Sequence, residues 1–293
     1  MRTKILLYLG LLATTAIWGS SFLVMKDSLE RQDVNSFLAS RFVLAALIMF
    51  AFKPKSLSGL DKVFVRRAVL TGVLATGGFI SQTFGLTLTT VSNTGFITGL
   101  YLVFTPLIAW LLLKHRITRA QWSAVLVATI GLYLIAYNGI SVGIGEILVL
   151  ISAILFAAQI VAIGELSDGK NSYSLTLIQI IVAAVVFSVL TLIGGYQAPP
   201  DSSVWAAVIF TAVFATFFGF LIQVKAQAVM SATVAGVLLA METPFALFFG
   251  LYFDNDPFTL RIMSGGTLVM LAMALVIWSD SRSNSKNSKG NKD

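Results

Sequence analysis

Long apolar runs alternate with short polar segments along the whole chain, and these runs define the predicted elements. Ten runs are long enough for a helix to cross roughly 30 Å of hydrocarbon at about 1.5 Å of rise per residue. A helix satisfies its own backbone groups in lipid, so each run is predicted to be helical. The predicted spans are Ile5–Met25, Asn35–Phe52, Ala68–Leu88, Asn93–Leu113, Ala120–Tyr137, Gly145–Ile163, Tyr173–Ile193, Val204–Val224, Ala232–Tyr252 and Arg261–Trp278.

Composition places the chain in the membrane class and narrows its chemistry. Hydrophobic residues make up 57% of the chain and charged residues 11%, against about 25% charged in an ordinary soluble domain. Cysteine is absent and the single histidine, His115, lies in a basic cluster. Disulfides, thiolate chemistry and a histidine metal site are therefore not expected. The sequence predicts an all-α polytopic protein in a lipid bilayer, with no cofactor and no metal.

The basic residues indicate the orientation in the membrane. Of the 20 Lys and Arg residues, 16 fall in one set of alternate loops and tails, three in the opposite set, and Arg41 lies inside a span. The positive-inside rule predicts that both termini lie in the cytoplasm. The protein is expected in the inner membrane of the cell. This distribution explains the net charge of +7 without a nucleic-acid partner. Residues 279–293, rich in Ser, Asn and Lys, are predicted to be a disordered cytoplasmic tail.

A shift of 138 residues places the second half of the chain on the first, with Thr105-Pro106 on Thr243-Pro244. Five spans fall in each half, and an odd number inserts the second copy in the opposite direction. The predicted fold is therefore ten transmembrane helices in two inverted five-helix repeats, with a site at their interface. Pro106 and Pro244 each free a helix carbonyl and are candidate hinges. The predicted repeats are residues 5–137 and 145–278.

Several motifs resemble a known family. They are Ile17-Trp18-Gly19-Ser20-Ser21-Phe22, Ser40-Arg41-Phe42, Ser92-Asn93-Thr94-Gly95-Phe96, Gln223-Val224-Lys225-Ala226-Gln227 and Met241-Glu242-Thr243-Pro244-Phe245. Over nearly the whole chain they resemble the EamA-like branch of the drug/metabolite transporter superfamily. The resemblance implies ten helices in two inverted repeats, and export or exchange of amino acids and other small metabolites. Many members carry a Gly-Glu pair after the fourth span, where this chain has Leu113-Lys114, so no role is transferred to that position.

Glu242 is the strongest candidate for a functional residue, because it lies well inside the ninth span. A carboxylate at membrane depth costs a few kcal/mol, so it normally faces protein or a water-filled cavity. One interpretation is a carboxylate that exchanges protons or binds a cation during transport. The other is a structural carboxylate that pairs with Arg41 or bonds to a neighbouring helix.

Arg41 lies about two turns into the second span from its outer end. Its planar guanidinium is suited to bind a substrate carboxylate through two hydrogen bonds. Alternatively, it extends to the outer interface or holds helices together. Trp18 lies too deep in its span for an aromatic belt. With Tyr101 and Phe245, it is expected either to line a pocket or to pack in the core.

Four glutamines in the spans come from both halves of the chain. A cavity between two repeats would be lined in this way, although hydrogen bonds between helices explain each glutamine singly. Asn93 opens the fourth span, as a site residue or as a helix N-cap. The glutamines are Gln82, Gln159, Gln179 and Gln223.

The sequence therefore predicts a secondary transporter that exports or exchanges a small metabolite, such as an amino acid, by alternating access. Its expected partners are the small-molecule substrate, lipid, and protons if Glu242 titrates; it acts as a monomer or a homodimer. A channel needs rings of carbonyls or charges around a pore. An intramembrane enzyme needs a nucleophile with a base. The spans offer neither arrangement, so both are the less favoured alternatives.

Overall fold

The computed structural model describes residues 2–114, 118–136, 143–167, 171–229, 238–239, 241–257 and 259–290. The described residues form helices joined by connecting segments, and they contain no strand. The α-helices are α1 (Arg2–Leu29), α2 (Val34–Phe52), α3 (Lys62–Leu88), α4 (Val91–Thr98), α5 (Tyr101–Leu113), α6 (Arg119–Ala136), α7 (Ile144–Leu166), α8 (Ser172–Gly194), α9 (Ser202–Phe210), α10 (Gly219–Gln227), α11 (Glu242–Phe253) and α12 (Leu260–Gly290). A short 3₁₀ helix covers Pro54–Leu57, and a π-helical stretch, Thr211–Phe218, joins α9 to α10.

Within the described residues, seven helical segments are long and apolar enough to cross a membrane by length and composition. They are Leu6–Leu29, Val34–Phe52, Lys62–Leu88, Val91–Leu113, Ile144–Leu166, Ser172–Gly194 and Ser202–Gln227. Repeated crossings of this kind make the chain a multi-pass membrane protein.

Polar residues set where several of these helices begin. Asp33, Asp61, Thr90 and Asp201 each precede a helix, and each side chain accepts a hydrogen bond from an N–H group in the first turn. Such caps satisfy donors that have no partner within the helix. The polar breaks in the hydrophobic pattern therefore act as helix starts.

The structure refines the predicted spans at three places. The fourth span is divided at Gly99 and Leu100 into α4 and α5, and the eighth contains the π-helical stretch. Within the ninth span, residues 232–237 and 240 lie outside the described residues, and α11 begins at Glu242. Tyr137, predicted to end the fifth span, also lies outside them.

The structure places helix in part of the predicted tail, and the disorder of residues 279–293 stays a prediction. Helix α12 continues through residues 279–290 to Gly290. An established helix grows by one hydrogen bond for each residue that it adds, without a new nucleation step, so a polar continuation of an apolar helix remains helical. Residues 291–293 lie outside the described part of the chain.

Helices of the first half pack mainly on helices of the second half. Helix α3 packs on α7 and α8, α2 on α8, and α6 on α12. Helix α11 lies between α1 and α4, α5 packs on α7, and α1 also packs on α10. The interface between the halves is therefore built from helices throughout the bundle.

Small residues allow α11 to approach its two neighbours closely. A Cβ atom at Gly19 would lie 2.7 Å from the backbone nitrogen of Ala246. Gly95 of α4 and Gly99, directly after it, face Ala246 and Thr243 with equally little space, and the Thr243 hydroxyl donates to the Gly95 carbonyl over 3.2 Å. These contacts fix the start of α11, and with it the position of Glu242.

Candidate functional site

A cavity of about 50 Å³ lies inside the bundle and takes residues from both halves of the chain. A space of this size has room for a few water molecules. Its walls combine aromatic rings with one cation, one carboxylate and several uncharged polar groups. The polar lining residues are Trp18, Ser21, Arg41, Gln82, Thr98, Tyr101, Gln159, Gln223 and Glu242.

The π-helical stretch Thr211–Phe218 positions two of these residues. Its wider turns move carbonyl groups out of the α-helical pattern. The Trp18 indole Nε1 donates to the Ala215 carbonyl over 2.8 Å, and Arg41 Nε donates to Thr216 Oγ1 over 2.7 Å. A segment of the second half thus fixes side chains that come from α1 and α2 of the first half.

Arg41 is buried, with 3% of its surface exposed, so the interpretation in which it extends to the membrane interface is wrong. The reason is the connection between α8 and α9, which covers this end of α2. The Tyr196 hydroxyl lies 2.9 Å from Ser40 Oγ, and the backbone nitrogen of Gln197 donates to Ser36 Oγ over 3.0 Å. The second turn of α2 therefore lies within the bundle.

The guanidinium of Arg41 has uncharged neighbours. Besides Thr216, it contacts Met25, whose Sδ lies 3.2 Å from Nη1. The rings of Phe42 and Phe79 lie 5.3 and 5.1 Å from Cζ, within cation–π range. Among the ion pairs of the described residues, none involves Arg41 at a nitrogen–oxygen distance of 4.0 Å or less.

Glu242 is the first residue of α11 and is 5% exposed. The amino end of a helix favours a carboxylate. The Tyr101 hydroxyl donates to Glu242 Oε2 over 3.5 Å, a long hydrogen bond. The described ion pairs do not join Glu242 to Arg41, so the predicted structural pair is not observed, although both residues line the cavity.

Three of the four predicted glutamines line the cavity. Gln82 donates to Thr98 Oγ1 over 3.0 Å, and Gln159 donates to Oε1 of Gln179 over 2.8 Å. Gln179 itself stands behind Gln159 and is not a lining residue. The buried Oε1 of Gln223 has no hydrogen-bond partner among the described residues, which leaves an acceptor at the cavity wall.

Asn93 and Phe245 lie elsewhere. The cap of α4 is Thr90, whose Oγ1 accepts from the backbone nitrogen of Asn93 over 3.0 Å, so the prediction of Asn93 as N-cap is wrong. Helix α4 starts two residues earlier than the predicted span, since Thr90 also has a capping hydroxyl. The Asn93 side chain instead contacts Glu146 of α7 over 3.3 Å. Phe245 packs against Gly19.

The two candidate hinges are prolines that lie in α5 and α11. Pro106 lies within α5, and Pro244 is the third residue of α11. The break at Gly99 and Leu100 comes one to two turns before Pro106. The interruption in the fourth span is therefore at the glycine and not at Pro106, and the role of the two prolines as hinges stays a prediction.

Besides Phe22, three phenylalanines that line the cavity were missed from the sequence. The ring centroids of Phe79 and Phe156 are 5.2 Å apart, those of Phe79 and Phe220 are 5.6 Å apart, and Trp18 lies 5.9 Å from Phe220. The chain contains 22 phenylalanines, which hides any one of them. A usable signal exists, because each of the three precedes a lining glutamine by three residues, in the pattern Phe-x-x-Gln. Gln179, which lacks this phenylalanine, does not line the cavity.

Charged contacts join the two halves at one end of the bundle, here named the acidic rim (residues 26–33, 197–201 and 254–256). Lys26 pairs with Asp254 over 3.1 Å, and Arg31 pairs with Asp201 over 2.5 Å. Hydrogen bonds from backbone N–H groups, first that of Val204, lower the pKa of Asp201. The pKa of Arg31 is raised, chiefly by a hydrogen bond to Asp27.

Asp256 completes the acidic rim from the connection between α11 and α12. It is 8% exposed, and its Oδ2 accepts from the backbone nitrogen of Ser92 over 2.7 Å, at the start of α4. Burial raises the pKa of Asp256, against an opposing effect of its hydrogen bonds with Ser92. A Cβ atom at Gly250 would collide with both residues, so the glycine permits this contact.

The chain is similar to proteins named as transporters over most of its length. An uncharacterized transporter of Archaeoglobus fulgidus is 32% identical over 272 residues, 92% of this chain and 84% of the relative. The uncharacterized transporter YyaM of Bacillus subtilis is 25% identical over 73% of this chain and 75% of its own length. A solved crystal structure matches the fold with a TM-score of 0.69 at 14% identity, over 96% of this chain and 99% of the other.

The family model of the EamA-like transporters matches twice, at residues 5–137 and 143–278. These two matches confirm the resemblance drawn from the sequence motifs. The chain therefore belongs to the EamA-like transporter family.

Proposed function

We propose that this protein is a secondary transporter that exports or exchanges a small metabolite, such as an amino acid, by alternating access. The observation that carries the proposal is the cavity, because it lies inside the bundle, takes its walls from both halves and contains two oppositely charged side chains. A polar site between two helical repeats is the arrangement on which secondary transporters depend. Ionisable residues inside membrane proteins commonly mark such a path.

Two findings support an architecture of ten helices in two inverted repeats. The family model matches the chain twice in succession. The contacts between helices also follow the repeat. When each helix is replaced by its equivalent in the other half, the contact of α3 with α7 becomes that of α1 with α10, and the contact of α5 with α7 becomes that of α1 with α11. The pairs α2–α8, α4–α11 and α6–α12 each join equivalent helices. Helices α6, α11 and α12 would complete the ten spans.

The acidic rim provides the contacts that close one end of the path. Four of its contacts run between the halves: Lys26 to Asp254, Arg31 to Asp201, Gln32 to the Gln197 carbonyl, and Ser92 to Asp256. Rocking one half against the other breaks them and opens this end. The distribution of Lys and Arg supports an extracellular position for the rim, with both termini in the cytoplasm.

Glu242 is the proposed coupling residue. It is buried, its hydrogen bond to Tyr101 is long, and it lies at the junction of α11 with α1 and α4. A change in its protonation or a bound cation would alter the charge of the cavity where the halves meet. Opening and closing of the path would then depend on its occupancy.

Comparative metabolomics tests the transport function. Cells express the wild type, Glu242→Gln or an empty vector at matched levels, and metabolites are measured in cells and medium. Glu165→Gln is the matched control, since Glu165 is exposed at the end of α7. We expect a compound enriched outside cells only with the wild type and the control. Purified protein in liposomes that moves none of a broad metabolite panel in either direction would contradict the proposal.

A further inference from the structure

Arg41 is a buried cation that the described part of the protein does not neutralise. Its hydrogen bonds go to the Thr216 hydroxyl and the Met25 thioether. Lys26 and Arg31, near this end of the bundle, behave differently, because each pairs with a carboxylate. Arg41 is therefore a buried guanidinium with binding capacity left.

The surroundings of Arg41 orient it without satisfying its charge. The faces of Phe42 and Phe79 and the Thr216 hydroxyl hold the planar group in place. Taking a cation out of water is unfavourable unless a counter-charge is supplied. A carboxylate and a phosphate both match the guanidinium fork through two parallel hydrogen bonds, and the carboxylate carries the smaller negative charge.

From these contacts we infer that Arg41 is the anion-recognising residue of the cavity, and that the cargo carries a carboxylate. This inference rests on the proposed transport function and names the class of its substrate. Glu242 lines the same cavity, and in its ionised form it disfavours a cargo with two negative groups. The favoured cargo is a monocarboxylate, including a zwitterion whose ammonium group is directed to Glu242.

Binding at Arg41 also links recognition to movement. The contact between Arg41 and Thr216 joins the two halves of the chain. A cargo carboxylate that takes the place of Thr216 at the guanidinium therefore releases one contact between the halves. An uncharged analogue would leave the original contact intact.

Ligand binding to the purified wild-type protein is the first test. The probes are the amino acids, their amides and their decarboxylated amines, and the readout is the shift in thermal unfolding temperature. We expect at least one carboxylate to bind about 10- to 100-fold more tightly than its amide, the usual effect of losing hydrogen bonds to a charged group. Equal binding of acid and amide would overturn the inference.

Variants of Arg41 separate recognition from structure. Arg41→Met removes the charge with a side chain suited to the neighbouring Met25 and Phe79, and Arg41→Gln is a second neutral variant. Arg41→Lys keeps the charge and loses the fork. The matched control is Arg66→Gln, at an exposed residue of α3. Carboxylate preference should vanish in both neutral variants, weaken in Arg41→Lys and persist in the control.

The ligand-free stability gives an answer even when no probe binds. Removing an unneutralised buried charge should leave the unfolding temperature of Arg41→Met unchanged or raise it by roughly 2–4 °C. A fall of several degrees in both neutral variants would show a structural role and overturn the inference. So would stabilisation by sodium chloride over sodium methanesulfonate without any carboxylate preference, because it would indicate an inorganic anion.

The two proposals fail in different ways. If the wild type moves no metabolite in liposomes, the transport function fails. If it moves a cargo that lacks an anionic group, and Arg41→Met moves that cargo equally well, transport stands and the role of Arg41 is overturned.

Discussion

Charged side chains form ion pairs at the acidic rim, whereas the two in the cavity form no described ion pair with each other. At the rim, Lys26 and Arg31 meet carboxylates of the other half at ion-pair distance. In the cavity, Arg41 and Glu242 are both buried and line one space, yet they form no described ion pair with each other. The rim therefore resembles a gate that is closed by contacts between the two halves of the protein. The cavity holds its charges apart, which leaves both for a ligand.

The difference follows from solvent exposure. Rim side chains are partly hydrated, so their pairs form and break with little change in free energy. A buried pair would be much harder to separate, because each freed ion would be left without water. A transporter that repeatedly closes one end and binds cargo in the middle needs labile contacts at the end and unsatisfied groups in the middle.

The largest expected effect comes from neutralising Glu242. Glu242→Gln keeps the size of the side chain and removes the charge, so uptake or export of the identified cargo should fall by about 100-fold, the scale of a coupling group that is lost. The measurement is initial flux in liposomes with and without a proton gradient. Flux that keeps both its rate and its response to the gradient would remove Glu242 from the mechanism.

The support of Arg41 gives an effect of intermediate size. Thr216→Val removes the hydroxyl that accepts from Arg41 Nε and should lower the free energy of unfolding by about 1–3 kcal/mol, the effect of leaving a buried donor unsatisfied. Thermal unfolding in detergent measures it. Thr211→Val is the matched control, since the buried Thr211 hydroxyl bonds only to carbonyls of its own helix.

A double-mutant cycle makes this prediction sharper. In an Arg41→Met background the donor is gone, so Thr216→Val should then have an effect close to that of the Thr211→Val control. An unchanged loss of stability would show that Thr216 acts through the π-helical stretch alone.

At the rim, breaking one ion pair should have little effect on stability. Asp254→Asn removes the partner of Lys26, and about 0.2–1 kcal/mol is the usual contribution of such a partly exposed pair. The equilibrium between the conformations with a closed and an open rim should change more than the stability does, toward the open one. The natural absence of cysteine allows a single Ser21→Cys reporter in the cavity. Thiol labelling should accelerate in Asp254→Asn and return to the original rate with a charge-reversed pair, Lys26→Asp with Asp254→Lys.

Much of the fold could be predicted from the hydrophobic pattern, because span length and polar caps depend on local sequence. The π-helical stretch could not, since Thr211–Phe218 is as apolar as a regular helix. Its geometry depends on contacts with Trp18 and Arg41, which lie far away in the sequence. The division of the fourth span at Gly99 likewise depends on the close approach of Thr243.

The site divides in the same manner. Glu242 and Arg41 were evident because charge is rare in a span, and three glutamines followed from polarity. Whether Arg41 pairs with Glu242 depends on the relative position of two helices, and a linear pattern does not contain that information. The Phe-x-x-Gln pattern at Phe79, Phe156 and Phe220 carries information that composition alone obscures.

The smallest effect concerns the pH dependence of two rim carboxylates. Burial raises the pKa of Asp256, so the folded state holds its proton more tightly than the unfolded state does. Its ionisation therefore lowers stability as the pH rises from the ordinary value of 3.8 through the raised pKa. Asp201 has a lowered pKa; its contribution is present above pH 3.8 and is lost as the pH falls through the lowered value.

The two substitutions should therefore change the pH profile with opposite signs. Asp256→Asn removes the penalty of ionisation, so its unfolding temperature relative to the wild type should rise as the pH increases above 3.8 and level off above the raised pKa. The same difference for Asp201→Asn should become more negative with rising pH near the acid end, because the wild type gains a charged cap that the amide replaces only partly. Thermal unfolding of the three proteins in one buffer series measures both slopes. Parallel profiles for Asp256→Asn and the wild type would mean that the Asp256 carboxylate is hydrated. The contact between Asp256 and Ser92 would then stabilise the closed rim no more than the exposed ion pairs do.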